Sequence, residues 1–525
     1  MRLYLSFLLL GLSYLSPNSS LLWPNSLQDF FAILSLILLL LTFNLNNFLI
    51  NKYLFLVFLL LISIPVIQYN LKIIYFKQEL FLSCLYITIF FSSIFLGSSI
   101  HNSQKVFIKF SIFFLVIGVL CVLIQIFQWI AVYSSIFIND LNSSRLSANI
   151  GQPNQLASLL SISLISCLIL YKNKKIKVLI FSTCSVLIIF GIVLTQSRTS
   201  WLIFILIILF SYFKKNLKLT KYVTIFSTIF YGLLITYPFF YNSIHKKDIS
   251  IIQRLNSDYS RLDIWQQMLF AIIERPWFGY GWNQTSVAQT EISLYHTTSI
   301  WIEYSHNLFL DFLIWNGIPL GIILITIIIF WFIYMYVNIK DLNSFMILII
   351  ISSFFIHCLL EFPFAYAYFI FPIGLYIGII NKRYLKYNYF NFNNWNYIFG
   401  LIIIFLLFFI VKDYIKITEK HKEYSLKYFS DNSILPNKLD IYLLDSLNVK
   451  EDIQYLDICY LIKIYNSEEI RNNFLRYPTN KSAVSLYYIS LYNKNVSLET
   501  ISFMKWKFQN LDLNTLKINK RCNTL

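Results

Sequence analysis

The chain has 525 residues, of which 58% are hydrophobic and 19% aromatic, and only 13% are charged. Its mean hydropathy of +0.64 excludes a soluble globular protein, because a chain of this length could not bury so much apolar surface. The net charge of +17 would suit a nucleic-acid-binding protein, but the basic residues are spread over short connectors rather than gathered into one patch. We therefore expect membrane lipids as partners and no nucleic acid.

The apolar stretches predict an all-α fold, a polytopic transmembrane bundle. A helix needs about 17–25 mostly apolar residues to cross a bilayer, whereas the strands of a barrel would alternate apolar and polar residues. The stretches do not alternate, and they predict 12–13 spans, near residues 3–16, 27–43, 53–69, 80–98, 107–134, 155–171, 178–195, 200–213, 222–240, 308–337, 343–360, 364–380 and 396–411. No small-residue cleavage site follows the first stretch, so we interpret it as an uncleaved span rather than a signal peptide.

The distribution of lysine and arginine predicts the orientation of these spans. Connectors 172–177, 214–221 and 382–386 are rich in basic residues, which is typical of cytoplasmic connectors. The alternate connectors should then face the opposite, external side; they are 135–154, 196–199, 241–307 and 361–366. Lys72 and Lys77 fall on that external side and violate the rule.

The chain divides by composition into two parts. Residues 1–411 are predicted to form the transmembrane domain, with a large external loop at 241–307. Apolar content drops in residues 412–525, and the pattern there predicts a small helical domain on the external side. Its Cys459 and Cys522 could pair in an oxidising compartment, although the sequence does not establish the bond.

Most of the unusual polar residues fall on the predicted external side. The segments that carry them are "NIGQPNQLA" (149–157), "TQSRTSW" (195–201), "YSRLDIWQQ" (259–267), "ERPWFGYGWNQ" (274–284), "SHNLFLD" (305–311) and "EFPFAYAYF" (361–369). Random placement would have divided them between the two faces. The pattern therefore indicates a single active site that opens outward.

Several of these residues also have a purely structural interpretation. Gln152, Asn154 and Gln155 could cap a helix that begins at Pro153. Arg198 could be an arginine at a helix end whose charge reaches the membrane surface.

The same applies to the later segments. Arg261 and Asp263 could belong to the solvated face of an amphipathic helix over 260–274. The turn "PWFGYGW" is interpreted as scaffold. His357 and Glu361 lie four residues apart, which predicts a mutually satisfying pair rather than catalysts.

His306 is a stronger candidate for a catalytic residue. Histidine ordinarily titrates near neutral pH, which suits a general base. Arg198 and Arg261 would supply two permanently charged guanidinium groups for phosphate oxygens. A base and two phosphate ligands at a membrane surface predict transfer from a lipid-linked phosphate donor.

At this point the motifs carry a family resemblance. The ordered set "GQPNQLAS", "LTQSRTSW", "SRLDIWQQMLFAIIERPWFGYGWNQ", "HNLFLDFLIWNGIPLG" and "HCLLEFPFAYAYFIFPIGL" resembles the O-antigen ligase superfamily of polytopic bacterial enzymes. The QPN and HNLFLD motifs are most similar to protein O-oligosaccharyltransferases of the PglL type, which glycosylate type IV pilins. The resemblance covers roughly residues 145–380, the core motifs.

The resemblance implies transfer of a preassembled oligosaccharide from undecaprenyl pyrophosphate to a Ser or Thr hydroxyl of a protein such as a type IV pilin. The bacterial inner membrane would hold the enzyme, with the active site facing the periplasm. The family's essential histidine matches His306, and its arginines match Arg198 and Arg261. A functional tyrosine matches Tyr366, with Tyr368 as the alternative. The family's glutamine motif matches Gln152 or Gln155. Substrate-binding or supporting roles are expected for Gln152, Asn154, Gln155, Asn307, Asp311 and Glu361.

The expected chemistry needs no general acid, because pyrophosphate is already a good leaving group, and we expect no cofactor and no metal. The membrane part contains no Asp-x-Asp motif to seat a divalent ion. Direct displacement would invert the anomeric carbon.

Two alternatives remain open. A sibling enzyme, either an O-antigen ligase with lipid A core as its acceptor or a polymerase of glycan repeat units, would use the same chemistry. A flippase or transporter of lipid-linked glycans should instead show polar residues in mid-span.

Overall fold

A computed structural model provides the structure of the protein. It describes residues 2–17, 22–23, 25–42, 48–101, 103–130, 145–214, 217–245, 260–293, 295–296, 301–385, 389–429, 439–456, 461, 465 and 467–477. Cys459 and Cys522 lie outside these residues, as do parts of the predicted external loops. The predicted pairing of these two cysteines therefore stays a prediction.

The described residues are overwhelmingly helical. Their α-helices are α1 Arg2–Leu15, α2 Ser26–Thr42, α3 Lys52–Asn70, α4 Lys77–Ser99, α5 Ser103–Trp129, α6 Pro153–Lys172, α7 Val178–Thr195, α8 Arg198–Phe213, α9 Thr220–His245, α10 Ser260–Glu274, α11 Thr285–Ile292, α12 Leu308–Asn338, α13 Leu342–Cys358, α14 Ala367–Tyr384, α15 Trp395–Phe429, α16 Asp445–Tyr455 and α17 Ser467–Arg476. Short 3-10 helices cover Ala148–Ile150 and Pro363–Ala365, and two strands, β1 Leu49–Asn51 and β2 Tyr389–Asn391, form an antiparallel pair.

Each predicted span overlaps one of these helices, which confirms the all-α polytopic fold. Within the described residues, seven helices are long and apolar enough to cross a membrane: α3, α4, α5, α6, α7, α12 and α15. Helices α1, α2, α8 and α13 are apolar but shorter. The amphipathic pattern over 260–274 is also a helix, α10.

Several helices begin where a polar side chain satisfies their first backbone amides, as the unpaired N–H groups of a helix start require. Asn51 caps α3, Gln152 caps α6, Asn307 caps α12 and Asp341 caps α13, each through a side-chain oxygen. These caps fix where the four helices begin and therefore where the preceding connectors end.

At one end of the bundle, the connectors predicted to be cytoplasmic contact one another. Strand β1 precedes α3 and pairs with β2, which precedes α15. Asn173, after α6, donates to Asn343 at the start of α13 over 2.9 Å. These contacts agree with the predicted alternation, including the first four spans.

At the other end, the connectors predicted to be external meet. Asn149 Nδ2 donates to the backbone oxygen of Leu15 over 2.7 Å. The backbone N–H of Trp282 donates to Gln68 Oε1 over 2.8 Å. Residues far apart in the chain therefore share one face of the molecule.

The centre of the bundle contains a close helix pair, α4 and α14. Gly378 makes their approach possible, because a Cβ at this position would lie 2.0 Å from the backbone oxygen of Ile94. Small residues at helix contacts allow such backbone proximity in membrane proteins. Helix α14, which directly follows the segment 361–366, is thereby held against α4.

Helix α12 is broken, which the continuous apolar pattern over 308–337 did not predict. Gly317 has φ +75°, a backbone conformation that glycine adopts without strain. The turn 276–281 packs against the break: Ile318 N donates to Pro276 O over 2.6 Å, and Tyr280 N donates to Ile314 O over 2.8 Å. The turn thus acts as scaffold and satisfies backbone groups that the break releases.

The described part of the C-terminal region packs on the external end. Helix α15 continues through residue 411, where the domain boundary was predicted, as far as Phe429. Asp445, the first residue of α16, accepts hydrogen bonds from the backbone N–H groups of Lys77 and Gln78, each at 3.0 Å. The start of α4 is therefore a docking point for this region.

Candidate active site

One carboxylate lies at the centre of the predicted site. Glu361 follows the end of α13, and its side chain is only 6% exposed. Its Oε1 accepts hydrogen bonds from Asn154 at 2.7 Å and from a guanidinium nitrogen of Arg261. Its Oε2 lies 2.8 Å from His306 Nδ1. A single side chain thus joins α6, α10 and the segment before α12.

His306 is held in an unusual backbone conformation beside this carboxylate. Its φ is +58°, in the left-handed region that residues other than glycine rarely adopt. Because Glu361 accepts at Nδ1, that nitrogen carries the proton, and the lone pair of the neutral ring lies on Nε2. The ring of Phe362 contacts the imidazole edge-to-face, with 5.1 Å between centroids. The imidazole is therefore oriented on two sides.

Three arginines come together near Glu361. Arg261 pairs directly with it, and the positive charge of Arg198 is close enough to that of Arg261 for the two to repel. Arg145, which the sequence interpretation missed, donates to Asn154 Oδ1 at 2.6 Å and to the backbone oxygen of Thr195 at 3.1 Å. Arg261 thus contacts the carboxylate directly, Arg145 is connected to it through Asn154, and Arg198 lies near Arg261.

The charge state of Glu361 follows from these neighbours. Burial alone would raise its pKa. The hydrogen bond from His306 and the nearby positive charge of Arg261 outweigh burial, so the pKa of Glu361 is lowered from its ordinary value. The group therefore stays ionised at neutral pH.

The residues of the QPN motif have distinct roles. Gln152 Oε1 caps α6 by accepting from Gln155 N at 2.7 Å, as the structural interpretation predicted. Asn154 instead connects Arg145 and Ser197 to Glu361. The motif is therefore part helix cap and part side-chain network.

Gln155 contacts the tyrosine pair of the next motif. Tyr368, which is fully buried, donates to Gln155 Oε1 over 2.6 Å. Tyr366 stacks on Tyr368 with 5.3 Å between ring centroids, and it lines a cavity. Of the two tyrosines, Tyr368 is buried against Gln155 and Tyr366 is the one that lines the cavity.

Asn307 and Asp311 have supporting positions. Asn307 caps α12 by accepting from Phe309 N at 3.0 Å. Asp311 is fully buried and accepts from Thr285 at 2.8 Å and from the backbone N–H of Ser305 at 2.9 Å. Both residues hold the backbone on either side of His306.

A cavity of about 700 Å³ adjoins the site. Gln152, Gln155, Tyr304, Phe362 and Tyr366 line its polar end, and side chains of α3, α4, α12 and α13 line its apolar part. His306 and the three arginines do not line it, but Phe362 belongs to both. The site and the cavity therefore meet at this ring.

The predicted pairing of His357 with Glu361 is wrong. His357 Nδ1 lies 2.8 Å from Ser158 Oγ, while Glu361 bonds other residues. Glu361 N still donates to His357 O over 2.8 Å and the two side chains interact electrostatically, but the carboxylate is hydrogen-bonded by residues of other elements.

Comparisons of the sequence with known proteins identify its family. Residues 183–325 match the family described as O-Antigen ligase. A curated relative from Acinetobacter baylyi, named "ComP-specific O-oligosaccharyltransferase", is 34% identical over 492 residues, which cover 91% of this chain and 89% of the relative.

The chain belongs to the bacterial O-oligosaccharyltransferases. A second relative from Acinetobacter baylyi, named "General O-oligosaccharyltransferase", is 32% identical over 400 residues, or 73% of this chain and 70% of the relative. No solved structure matches the chain significantly. This O-oligosaccharyltransferase is thus a multi-pass membrane enzyme of protein O-glycosylation, with a lipid-linked glycan as donor and a protein as acceptor.

Proposed function

We propose that this O-oligosaccharyltransferase transfers a preassembled glycan en bloc from undecaprenyl pyrophosphate to a Ser or Thr hydroxyl of a periplasmic protein such as a type IV pilin. The observation that carries the proposal is the shared carboxylate: Glu361 contacts His306 through Oε2 and Arg261 through Oε1. A base and a phosphate ligand are thereby held within one cluster.

His306 is the proposed general base. Its Nδ1–H donates to Glu361, so Nε2 can accept the proton of the acceptor hydroxyl as the oxygen attacks the anomeric carbon. The neighbouring carboxylate then stabilises the imidazolium that forms. The bond from the anomeric carbon to the pyrophosphate oxygen breaks with its electron pair, and the anomeric carbon is inverted.

The arginines are the proposed ligands of the pyrophosphate. Arg145, Arg198 and Arg261 contribute three positive charges and Glu361 one negative charge, which leaves a net charge of two with His306 neutral. A pyrophosphate diester carries about two negative charges, and more charge develops on it as it departs. Fixed guanidinium groups in a partly buried site stabilise such charge better than water does.

The cavity and the C-terminal region suit the two substrates. The apolar part of the cavity can receive a portion of the donor's lipid chain, while its polar end adjoins the site. We propose that residues 412–525 form a domain at the periplasmic face that helps to present the acceptor. The lysine-rich connectors at the opposite end would face the cytoplasm, which supports an inner-membrane enzyme whose active site faces the periplasm.

The proposal is tested with the full chain in proteoliposomes that contain a lipid-linked oligosaccharide. Three parallel reactions receive a pilin peptide, a lipid A core acceptor or no acceptor. We expect glycosylated peptide from the intact enzyme and a rate about 10²–10⁴-fold lower for His306→Ala. His101→Ala changes an exposed histidine at the other end of the bundle and should act as intact.

The outcomes separate the alternatives. Both relatives are named oligosaccharyltransferases, which supports a protein acceptor. Modified lipid A or elongated glycan without glycosylated peptide would assign the enzyme to a sibling activity. Undiminished transfer by His306→Ala would reject the proposed base, and retention of the anomeric configuration by NMR would reject direct displacement.

A further inference from the structure

Helix α17 ends in an almost completely buried arginine. Arg476 is 2% exposed, and its Nε, Nη1 and Nη2 donate to Glu79 Oε1 at 3.1 Å, Ser286 Oγ at 2.7 Å and Glu303 Oε1 at 3.0 Å. A buried guanidinium without partners would be strongly unfavourable, so these contacts determine where it can lie. One side chain of the C-terminal region thus bridges α4, α11 and the segment that leads to α12.

Glu303 lies three residues before His306, and the residues between them are also held. The ring of Tyr304 stacks on that of Phe362, with 5.0 Å between centroids. The backbone N–H of Ser305 donates to a buried carboxylate of α12. Movement of Glu303 would therefore be transmitted through a short, packed segment to the imidazole.

The backbone at His306 makes this segment sensitive to its anchors. A residue other than glycine persists in the left-handed region only where the surrounding structure fixes it. On the C-terminal side, the cap formed by Asn307 fixes the chain. On the N-terminal side, the hydrogen bond of Ser305 N with Asp311 and the ion pair of Glu303 with Arg476 are the corresponding anchors.

We infer that Arg476 is a positioning residue for glycan transfer: by holding Glu303 it fixes the backbone that presents His306 to Glu361. The inference rests on the proposed role of His306. Arg476 and Glu303 also line the cavity together with Tyr366. The C-terminal region therefore contributes to the wall of the cavity that adjoins the candidate site.

The test compares Glu303→Gln, Arg476→Lys and the double variant in the full chain in proteoliposomes. Glutamine keeps the shape of Glu303, which is 45% exposed at its side chain, and lysine keeps the charge of Arg476 without its fork of donors. Matched controls are Arg471→Ala and Glu468→Gln, two exposed residues of the same helix. The measurements are kcat, KM for the donor, and hydrogen exchange of the peptide 301–307.

We expect each single variant to lower kcat by about 10-fold to 10²-fold, because a small displacement of a reacting group has effects of this size. The donor KM should change less than about twofold, exchange of peptide 301–307 should rise, and the double variant should be no worse than the poorer single variant. The two controls should match the intact enzyme in all three measurements.

Intact kcat and intact exchange in both single variants would overturn the inference, even if the melting temperature fell, because Arg476 would then only attach the C-terminal region. Failure of the proposed function is distinguishable from this result. It would appear as full transfer by His306→Ala, whereas exchange of peptide 301–307 does not depend on turnover.

Discussion

Two arginine–carboxylate pairs lie at opposite ends of α13. Before the helix, Asp341 pairs with Arg383 over 3.1 Å, and its side chain is 43% exposed. After the helix, the buried Glu361 pairs with Arg261. Asp341 also caps α13 by accepting from the backbone N–H of Ser344, whereas the bonds to the carboxylate of Glu361 all come from side chains.

The difference lies in where the partners originate. The Asp341 pair joins the start of α13 to the end of α14 and is explained by local helix capping. Glu361 gathers His306, Asn154 and Arg261, which precede it by 55 to 207 residues. The same kind of ion pair therefore has a structural role before α13 and organises the proposed reaction after it.

The largest expected effect distinguishes the two carboxylates directly. Glu361→Gln keeps the shape of the side chain but removes the charge that orients and stabilises the imidazole, so kcat should fall by about 10³-fold. Asp341→Asn retains an oxygen that can cap α13 and should leave kcat intact, with a stability loss of about 0.2–1 kcal/mol. Kinetics and thermal unfolding of the two purified variants measure both effects; equal loss of activity would remove the distinction.

The arginines provide the next comparison. Arg198→Ala removes a fixed positive charge from the proposed pyrophosphate site, and kcat should fall by about 10²-fold. Arg383→Ala removes a guanidinium at the other end and should change kcat by less than about twofold. Transfer assays at saturating donor test this, and a normal rate for Arg198→Ala would contradict a role in leaving-group stabilisation.

The stacked tyrosines allow a smaller test. Tyr366→Phe removes the hydroxyl of the tyrosine that lines the cavity, which also interacts with Gln155, and we expect kcat to fall about tenfold, as for loss of one hydrogen bond of about 1–1.5 kcal/mol. Tyr368→Phe removes a buried hydroxyl bonded to Gln155 and should chiefly lower stability, by about 1 kcal/mol. Kinetic and unfolding measurements on both variants check this assignment. A loss of kcat in Tyr368→Phe and a loss of stability in Tyr366→Phe would reverse the two roles.

The smallest expected effect is a pH-dependent difference in stability between the intact enzyme and Glu361→Gln. Because the pKa of Glu361 is lowered in the folded protein, its contribution to stability is present above the ordinary glutamate pKa of about 4.3 and is lost as pH falls through the lower folded value. The difference in melting temperature between the intact enzyme and Glu361→Gln should therefore be greatest near neutral pH and shrink below about pH 4. A difference independent of pH would show that the charge of Glu361 is not involved.

Much of the fold was predictable because it depends on local properties. Apolar length located the spans, and basic connectors grouped them into two faces that the contacts reproduce. The break in α12 was not predictable from hydropathy, since the residues around Gly317 remain apolar and only packing of the turn 276–281 makes the break favourable. Similarly, α15 passes residue 411 because helical hydrogen bonding continues after the apolar run ends.

The sequence identified most residues of the candidate site but not which of them contact one another. The external position of His306, Arg198 and Arg261 followed from the order of spans. The contact of His306 with Glu361 links residues 55 positions apart, which no helical or strand spacing indicates. Arg145 was missed because it lies in a serine- and asparagine-rich connector that carries no periodic pattern.

The break at Gly317 also has a consequence for the depth at which the proposed reaction would take place in the bilayer. Residues 318–338 of α12 would extend roughly 30 Å at 1.5 Å per residue, about the thickness of the hydrocarbon layer. Residues 308–316 would then form a separate short helix at the level of the lipid headgroups. Under the proposed function, the imidazole that precedes this helix would lie at the height where a polyprenyl donor carries its phosphates, so the donor would not have to be lifted out of the membrane to react.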